Sequence, residues 1–578
     1  MMDITETNRH KTSGRKWECL GDGTDVWLDA WTKMAQEVLV PDALALIAHL
    51  HRTLDTERMA LLRSRGLRQQ AYDAGESPTY LTGEEAMEAR TRVWTVAPLP
   101  EDLRCRRVEI TGPVSDPKMV INMLSRTTEG RRADAAMLDF EDAMKPSWHN
   151  VMQGMINLIG AADGTLAFSQ PARRGKPAKF YTIDPNDRPL LMVRIRGLHL
   201  EEANVRVDGT PVSASILDFA LSVFHTARRL LDQGRTPKYY VPKCEHYLEA
   251  RWWNRLFSAV EEVLALPEGT LKVTFLIETL PAAYQMEEIL YEVRGRAAGL
   301  NGGRWDKIFS DIKVLKNHPD AVLADRGSIS MNRPWMKNYA LQLIRVCHRH
   351  GALAMGGMAA FTPGRTANRR AEQTRKVVED KRFEAGIGHD GCWVSHPYFI
   401  GPAMDAFTRR NQLDVIPELP AHPDIRPVGT PPHTMAGLRK NLRVAMAYLR
   451  GWHEDVGCVA WDDLMEDLAT LEISRAQVWQ WLHHQILLDE GDRVTETLVR
   501  RVLAEECEKI IDETRVAMAG KANGVIDREI EGYVTAREDA AAILTDPIFR
   551  SFLTRTSDPA GLTMPEKSNR VRERGNQH

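Results

Sequence analysis

Short β-prone runs alternate with helix-length stretches between residues 107 and 396 of this 578-residue chain. Strands that alternate with helices predict parallel pairing, since each helix carries the chain back across the sheet. Eight such runs fit a closed (β/α)8 barrel, and a doubly wound open sheet is the structural alternative. The runs are Arg107–Gly112, Ala136–Glu141, Leu190–Arg196, Tyr239–Lys243, Lys272–Glu278, Asp306–Ile312, Ala352–Met358 and Cys392–His396.

Many of these runs carry charged or polar side chains at or near their ends. In a barrel, the carboxyl ends of the strands meet at one rim, where active sites lie. A charge buried there is costly unless it is paired or bound to a metal, so the pattern indicates a site for a metal and an anion. The residues concerned are Glu109, Asp139, Glu141, Asp142, Arg194, Arg196, Lys243, Glu278 and His396.

The regions that flank the predicted barrel have a different pattern. Pro41 suits a first helical position, and leucines follow it at helical spacing. Six prolines fall in 411–433, a density that predicts a linker. The expected organisation is a flexible extension over 1–35, a helical N-terminal region over 36–105, the barrel over 106–410, the linker over 411–433, a helical C-terminal domain over 434–555 and a disordered tail over 556–578.

Composition narrows the class of protein further. The net charge is −3 with no long basic block, so nucleic acid is not favoured as a partner. No stretch of about 18 apolar residues occurs, so no membrane span is expected. The cysteines number seven and include no C-x-x-C pair, which argues against a disulfide framework and predicts a cytoplasmic protein. The oligomeric state is left open.

Nine short motifs occur along the chain, and they resemble those of A-type malate synthases in content and in order. No single motif is decisive, but together they are specific and extend over roughly residues 38–550. The motifs are Arg106–Pro113, Asp139–Ala143, Arg194–His199, Leu276–Thr279, Leu300–Asp306, Met355–Ala360, His389–Gly391, Leu464–Asp467 and Glu472–Ala476.

The resemblance implies a Mg²⁺-dependent acyltransferase of the glyoxylate bypass, which condenses acetyl-CoA with glyoxylate and water to give malate and CoA. It also implies a TIM barrel whose C-terminal helical domain folds over the barrel mouth as a plug. Glu141 and Asp142 are candidates for guiding the water that cleaves the thioester. Lys307, Leu468 and Leu471 stand where the family usually has one Tyr and two Ala residues. The alternatives are a related Claisen-type enzyme with another acyl-CoA or 2-oxoacid, and a non-catalytic paralogue.

The metal and substrate sites are implied by two of these motifs. The resemblance assigns Glu278 and Asp306 to Mg²⁺, which prefers oxygen ligands and often takes only one or two protein carboxylates. Without the resemblance, a salt-bridged pair at the rim is the simpler interpretation. The turn of Gly303, Arg304, Trp305 and Asp306 is implied to bind glyoxylate through backbone N–H groups. A plain glycine-rich loop is the alternative for that turn.

Two further residues are implied to be catalytic. Arg194 is implied to stabilise the negative charge of the enolate and the alkoxide, and a salt bridge to the 139–142 cluster is its alternative. Arg196, two positions on, is expected to be structural. Asp467, in the C-terminal domain, is implied to be the base that removes a methyl proton from acetyl-CoA. Without the resemblance, the simpler interpretation of Asp467 is an acidic residue at the start of a helix.

Overall fold

The computed structural model of the protein describes residues 17–172 and 177–554. The disorder expected of the tail 556–578, and the flexibility expected of residues 1–16, therefore lie outside the described residues. The strands are β1 Trp17–Gly21, β2 Thr24–Trp27, β3 Val108–Pro113, β4 Ala135–Asp139, β5 Ala167–Gln170, β6 Lys179–Thr182, β7 Leu190–Arg194, β8 Glu201–Val207, β9 Thr210–Ser213, β10 Lys238–Val241, β11 Lys272–Leu276, β12 Ala297–Asn301, β13 Leu353–Ala359, β14 Gly391–Val394, β15 Val459–Trp461 and β16 Leu464–Glu466.

The α-helices lie between and after these strands. They are α1 Lys33–Val38, α2 Pro41–Asp73, α3 Glu84–Thr91, α4 Pro117–Leu124, α5 Trp148–Asp163, α6 Ala214–Asp232, α7 Tyr247–Val263, α8 Leu280–Ala283, α9 Met286–Glu292, α10 Trp305–Val314, α11 Pro334–Arg349, α12 Ala367–Ile387, α13 Ile400–Met404, α14 Met435–His453, α15 Leu468–His483, α16 Glu496–Ala517 and α17 Asn523–Leu544.

Eight parallel strands close into a barrel, which confirms the predicted (β/α)8 fold. Their order is β3, β4, β7, β10, β11, β12, β13 and β14, and β14 pairs with β3 to close the ring. Seven of the eight predicted runs overlap these strands. Two insertions interrupt the alternation: the hairpin β5–β6 follows α5, and the antiparallel pair β8–β9 follows β7.

One predicted strand is wrong. Residues 306–312 lie in helix α10, and the barrel strand is β12 (Ala297–Asn301), which lies outside all eight predicted runs. Ile308, Phe309 and Ile312 form one buried face of α10, at a spacing that fits a helix better than a strand. The residues of β12 are mostly small, and all five are buried. Their own strand propensity is weak, so this short run is a strand only because it closes the barrel.

The described part of the segment before residue 36 also differs from the prediction. Strands β1 and β2 and helix α1 occupy much of residues 17–38, so a loosely structured extension is wrong for this part. β2 pairs antiparallel with β8, and β1, β2, β8 and β9 form a four-stranded sheet. Val26 and Val38 are fully buried. The pairing partner lies far along the chain, and short-range sequence patterns do not reveal it.

The C-terminal helices α14 to α17 pack around their own hydrophobic core, which includes Leu442, Tyr448, Trp481 and Val502. Helix α15 also lies against barrel helix α10, where Ile473 meets the apolar face of α10. The side chain of Trp481 donates to the backbone of the loop that follows α10 (Nε1 to Leu323 O, 3.0 Å). These contacts fasten the last domain to the barrel. No described helix is long and apolar enough to cross a membrane.

Candidate active site

A cavity of about 530 Å³, called here the main cavity, opens at the carboxyl ends of the barrel strands. It is bounded by the ends of several strands and by the start of helix α15. The structure therefore brings together residues of the barrel and of the C-terminal domain. All seven residues predicted for the site line this cavity: Arg194, Glu278, Gly303, Arg304, Trp305, Asp306 and Asp467.

Five of the nine residues expected at the rim do not line the main cavity: Glu109, Asp139, Glu141, Arg196 and Lys243. Glu109 lies in the first half of β3 and accepts a hydrogen bond from Arg106 inside the barrel (Nε to Oε1, 2.7 Å). The guanidinium of Arg196 pairs with Asp218 and Glu202 at 2.7 and 2.8 Å. Arg196 thus has the structural position expected for it, whereas the placement of Glu109 at the rim is wrong.

Glu278 and Asp306 form a buried pair of carboxylates, 1% and 8% exposed. Burial raises the pKa of the Glu278 carboxyl and raises the pKa of Asp306 well above its usual range. Asp306 Oδ1 has no hydrogen-bond partner among the described residues, and Lys243 Nζ lies 3.5 Å from it. Within the same residues, no group of three His, Cys, Asp or Glu side chains could hold a metal. Two buried carboxylates with an unsatisfied oxygen fit Mg²⁺, which commonly fills its remaining positions with water and substrate.

The glycine turn before helix α10 packs directly on this pair. A Cβ at Gly303 would lie 2.7 Å from Glu278 Cβ and 2.9 Å from Glu278 Oε2, so a larger residue would displace the carboxylate. Helix α10 begins at Trp305, and the N–H groups of its first turn have no intrahelical acceptor. The Arg304 guanidinium donates to Ile329 O at 2.8 Å. Backbone N–H groups of this turn can therefore receive an anion beside the carboxylate pair.

Arg194 ends β7 and is held by a bidentate ion pair. Its Nε and Nη2 donate to the two carboxylate oxygens of Asp139, at 2.7 and 2.5 Å. Its Nη1 makes only longer contacts, to Glu141 Oε2 at 3.4 Å and to Asp142 Oδ2 at 3.5 Å. The salt bridge considered as the alternative is present, and Arg194 also lines the main cavity. One edge of the guanidinium is thus fixed, and Nη1 has no short partner.

Lys243 lies at the centre of the site, and sequence reasoning gave it no role. Its Nζ contacts Glu141 and lies 2.8 Å from Asp142 Oδ2. Its backbone has φ 51°, in the left-handed region, and its N–H donates to Glu278 Oε1 at 2.8 Å. The signal for this role was the charge that follows strand β10. A buried lysine among four carboxylates offsets their mutual repulsion.

Replacing Lys243 with Met is expected to lower the free energy of unfolding by about 3–5 kcal/mol, because the acidic side chains around it lose their buried counter-charge. The measurement is the urea midpoint of the full chain, with Lys337→Met as the control. Lys337 is exposed, so that variant should unfold like the wild type. An unchanged midpoint for Lys243→Met would show that the cluster does not depend on this cation.

Asp467 is the N-cap of helix α15, and its side chain accepts a hydrogen bond from the backbone N–H three residues on. Two backbone contacts hold this N-cap on the barrel rim. Leu468 N–H donates to Asp142 O at 3.3 Å, and Met465 N–H donates to Ala360 O at 2.7 Å. The C-terminal domain therefore covers part of the barrel mouth and places one carboxylate in the main cavity.

The Asp467 side chain titrates far from the ordinary range of an aspartate. Burial raises the pKa of its carboxyl to about 7, and the negative charge of Asp142 adds to the rise while Arg194 opposes it. A carboxyl of this pKa is partly ionised at neutral pH and is a stronger base than a solvated aspartate. The environment thus suits Asp467 for general base catalysis.

Three residues that depart from the usual motifs lie outside the main cavity. Lys307 is buried and contacts Asp311, with its Nζ 5.5 Å from the centre of the Tyr339 ring. Leu471 packs in the core of the C-terminal domain. Leu468 lines a small neighbouring space, and Ala469 is the residue that faces the main cavity. These departures leave the lining of the main cavity unchanged.

Comparisons with known proteins cover most of the chain. Three family models match: the malate synthase N-terminal domain over 29–86, the malate synthase TIM barrel domain over 190–421 and the malate synthase C-terminal model over 432–550. The malate synthase of Myxococcus xanthus (strain DK1622) is 47% identical over 491 residues, covering 82% of this chain and 87% of the relative. Malate synthase A of Escherichia coli (strain K12) is 42% identical over 486 residues, covering 83% of this chain and 89% of the relative.

Proposed function

This chain belongs to the malate synthase family, and from that premise we propose which of its residues carry out the condensation of acetyl-CoA with glyoxylate and water to give malate and CoA. The chain is an acyltransferase of the glyoxylate bypass. The observation that supports the assignment is that Glu278, Asp306, Arg194 and Asp467 line one cavity. Each has a chemical property that the reaction requires.

Glu278 and Asp306 would hold Mg²⁺, as their burial and the unsatisfied Asp306 oxygen indicate. When bound, Mg²⁺ supplies Lewis-acid polarisation of the glyoxylate aldehyde. The backbone N–H groups of the turn from Gly303 to Asp306 bind the glyoxylate carboxylate, because a helix N-terminus favours an anion. The carboxylate end of glyoxylate is then oriented by this turn, and the aldehyde end lies towards the pair of Glu278 and Asp306.

Asp467 removes a proton from the methyl group of acetyl-CoA and leaves the thioester enolate. The pKa of about 7 makes this carboxylate a base that is partly ionised at neutral pH. The enolate oxygen gains negative charge as the proton leaves, and Arg194 Nη1 is the donor without a short protein partner. Asp139 fixes the guanidinium beforehand, so little reorganisation is needed when that charge develops.

The enolate carbon attacks the aldehyde carbon, and the new C–C bond gives malyl-CoA. Water then cleaves the thioester to release malate and CoA. Asp142 lines the main cavity, whereas Glu141 lies in a small space beside it. Of the two candidates, Asp142 is therefore better placed to orient the water.

The CoA part of the substrate fits the outer arm of the main cavity. This arm is lined by the end of helix α4 and the residues that follow it, and by the turn after β14. It combines apolar side chains such as Met119 and Met123 with polar ones such as Arg126 and Tyr398. A pantetheine chain needs an apolar channel, and the phosphates need donors near the solvent. We assign acetyl-CoA to this arm.

The reaction is tested by mixing the full chain with acetyl-CoA, glyoxylate and Mg²⁺ and following free CoA with a thiol reagent. CoA release that requires glyoxylate and is abolished by EDTA is the expected result. An intact malyl-CoA product would instead support a related Claisen-type enzyme, and no turnover with any acyl-CoA and 2-oxoacid pair would support a non-catalytic paralogue. The presence of Arg194, Glu278, Asp306 and Asp467 in one cavity favours the first outcome.

The rate is expected to fall at acidic pH because Asp467 acts only when it is deprotonated. With a carboxyl pKa of about 7, kcat should rise tenfold per pH unit below neutrality and level off above it. A cation bound near Asp467 shifts the rising part of the kcat profile to lower pH, because positive charge favours the ionised carboxylate. The check is a kcat profile from pH 5.5 to 9 in saturating substrates. A rate that is flat between pH 5.5 and 7.5 would contradict Asp467 as the base.

We place this reaction in the cytoplasm. All seven cysteines are free, and five of them are buried. Unpaired thiols in a chain with no disulfide fit a reducing compartment. Fractionation of the native host, followed by an activity assay of each fraction, tests the location.

A further inference from the structure

A second cavity of about 350 Å³ adjoins the main cavity. The two cavities share four lining residues, so a single layer of side chains separates them. The shared residues are Arg304, Trp305, Met358 and Met465. The second cavity extends away from this wall towards Arg326 and Lys440, which do not line the main cavity. It is therefore a separate space beside the reacting groups.

Arg326 is the most deeply buried cation of the second cavity, at 3% exposure. Its guanidinium Nε and Nη2 have no hydrogen-bond partner among the described residues. The carboxylate of Glu466 lies 3.6 Å from Nη2, beyond hydrogen-bond distance, and Glu466 Oε1 is also without a partner. Burying donors of a charged group without acceptors costs free energy, so this arrangement indicates a missing acceptor.

Two more cations face the same space. Lys440 is half-buried and has no hydrogen bond or ion pair within the described part of the chain. Arg304 donates through Nη2 to a backbone carbonyl, but its buried Nε has no partner within the described chain. Burial lowers the pKa of Lys440, and the positive charge of Arg326 lowers it further, while Glu466 and Asp462 oppose the fall. Three cations that repel one another are stabilised by an anion placed between them.

The remaining charges of the second cavity do not supply that anion. Each has a partner of opposite sign, in the pairs Lys376–Glu372, Glu379–Arg375 and Asp380–Lys381. Glu466 is the one carboxylate lining the second cavity outside these pairs, and it faces the three cations Arg304, Arg326 and Lys440. Asp380 also attracts Arg304, and Asp462 also attracts Lys440. The excess positive charge is accompanied by an apolar wall that includes Met331 and Phe361.

We propose that the second cavity binds a small organic dicarboxylate, with Arg326 and Lys440 as its charged contacts. A space of about 350 Å³ exceeds what an inorganic ion fills and lies in the range of small-ligand pockets. Two cations on an apolar wall suit a short carbon chain with a carboxylate at each end. Malate, the product formed in the adjoining cavity, has this chemistry, and naming it as the ligand rests on the proposed function.

The test is isothermal titration calorimetry of the full chain with malate in EDTA, at constant ionic strength set with NaCl. Saturable binding is expected, and Lys440→Gln should weaken it at least about tenfold, the loss typical of one charged hydrogen bond. Lys337→Gln makes the same charge change at an exposed position and should leave binding unchanged. Equal affinity in Lys440→Gln and the wild type, or no malate binding by the wild type, would overturn the proposal.

Three further arms locate the site and its ligand. Asp306 lines the main cavity and not the second cavity, so malate binding that survives Asp306→Asn in EDTA supports the second cavity, and binding lost in this variant refutes the proposal. Succinate that binds about as well as malate supports a site for free dicarboxylates, whereas binding of malate alone supports a site for the product. Phosphate that binds when neither dicarboxylate does would overturn the assignment. The titration involves no turnover, so its failure is distinct from a failure of the CoA-release assay.

Discussion

Replacing Asp467 with Asn is expected to lower kcat by about 10²–10⁴-fold, the contribution typical of a positioned general base. The amide cannot accept the methyl proton of acetyl-CoA. Asn is as good an N-cap as Asp, so helix α15 and its contacts with the barrel should remain. The change therefore removes the proton acceptor with little effect on the fold, and KM for both substrates should change much less than kcat.

The rate is measured as CoA release at saturating acetyl-CoA, glyoxylate and Mg²⁺. Asp462→Asn is the matched control. Asp462 lies in the turn between β15 and β16, just before Asp467 in the chain, but it is exposed and outside the main cavity. The control should keep the wild-type rate. A variant Asp467→Asn that retains a tenth or more of wild-type kcat would mean that another group removes the proton.

Replacing Asp306 with Asn is expected to weaken Mg²⁺ binding by at least about 100-fold, the upper end of the effect of removing an outer-shell partner of a metal ligand. Activity at ordinary Mg²⁺ concentrations should be lost and should recover in part at much higher concentrations. Glu278 would remain as the single carboxylate of the pair. The measurement is a Mg²⁺ titration of CoA release beside a calorimetric titration with Mg²⁺ alone.

The stability of the metal-free variant distinguishes loss of a ligand from misfolding. Burial raises the pKa of the Asp306 carboxyl, so the ionised form is disfavoured in the folded chain. The stability linked to this group is present at low pH and is lost as the pH rises through the raised pKa. Asp306→Asn should therefore be as stable as the wild type, or more stable, in EDTA at neutral pH. Asp320→Asn, at an exposed position, serves as the control for charge removal.

The barrel was largely predictable because its signal is local. Each of seven strands is a short, largely buried run that contains β-prone apolar residues and lies between helix-length stretches, as a strand covered on both faces requires. The prediction missed strand β12 because its signal is not local. The run Ala297–Asn301 has weak strand propensity, and its neighbours β11 and β13 provide the hydrogen bonds that make it a strand.

The site was predictable at the level of residue types and only partly at the level of contacts. The strand ends indicated that charges would meet at one rim, and the motif resemblance named the residues. Neither could show that Lys243 contacts both Asp142 and Glu141, since its partners come from the end of β4. The position of Glu109 inside the barrel shows the same limit, because Tyr240 and Trp393, which also donate hydrogen bonds to its carboxylate, come from other strands.

The sequence by itself determined the class of fold and the order of the segments and suggested the reacting groups proposed above, because strand and helix periodicity and short motifs are local properties. Only the tertiary structure decided which charges share a cavity and how each one titrates. Asp467 reads as an ordinary helix-start acid in the sequence, and its pKa of about 7 arises from burial against the barrel rim and from Asp142, residues that long stretches of chain separate. Electrostatic interaction depends on distance and dielectric environment, and both are set when the C-terminal domain closes over the barrel.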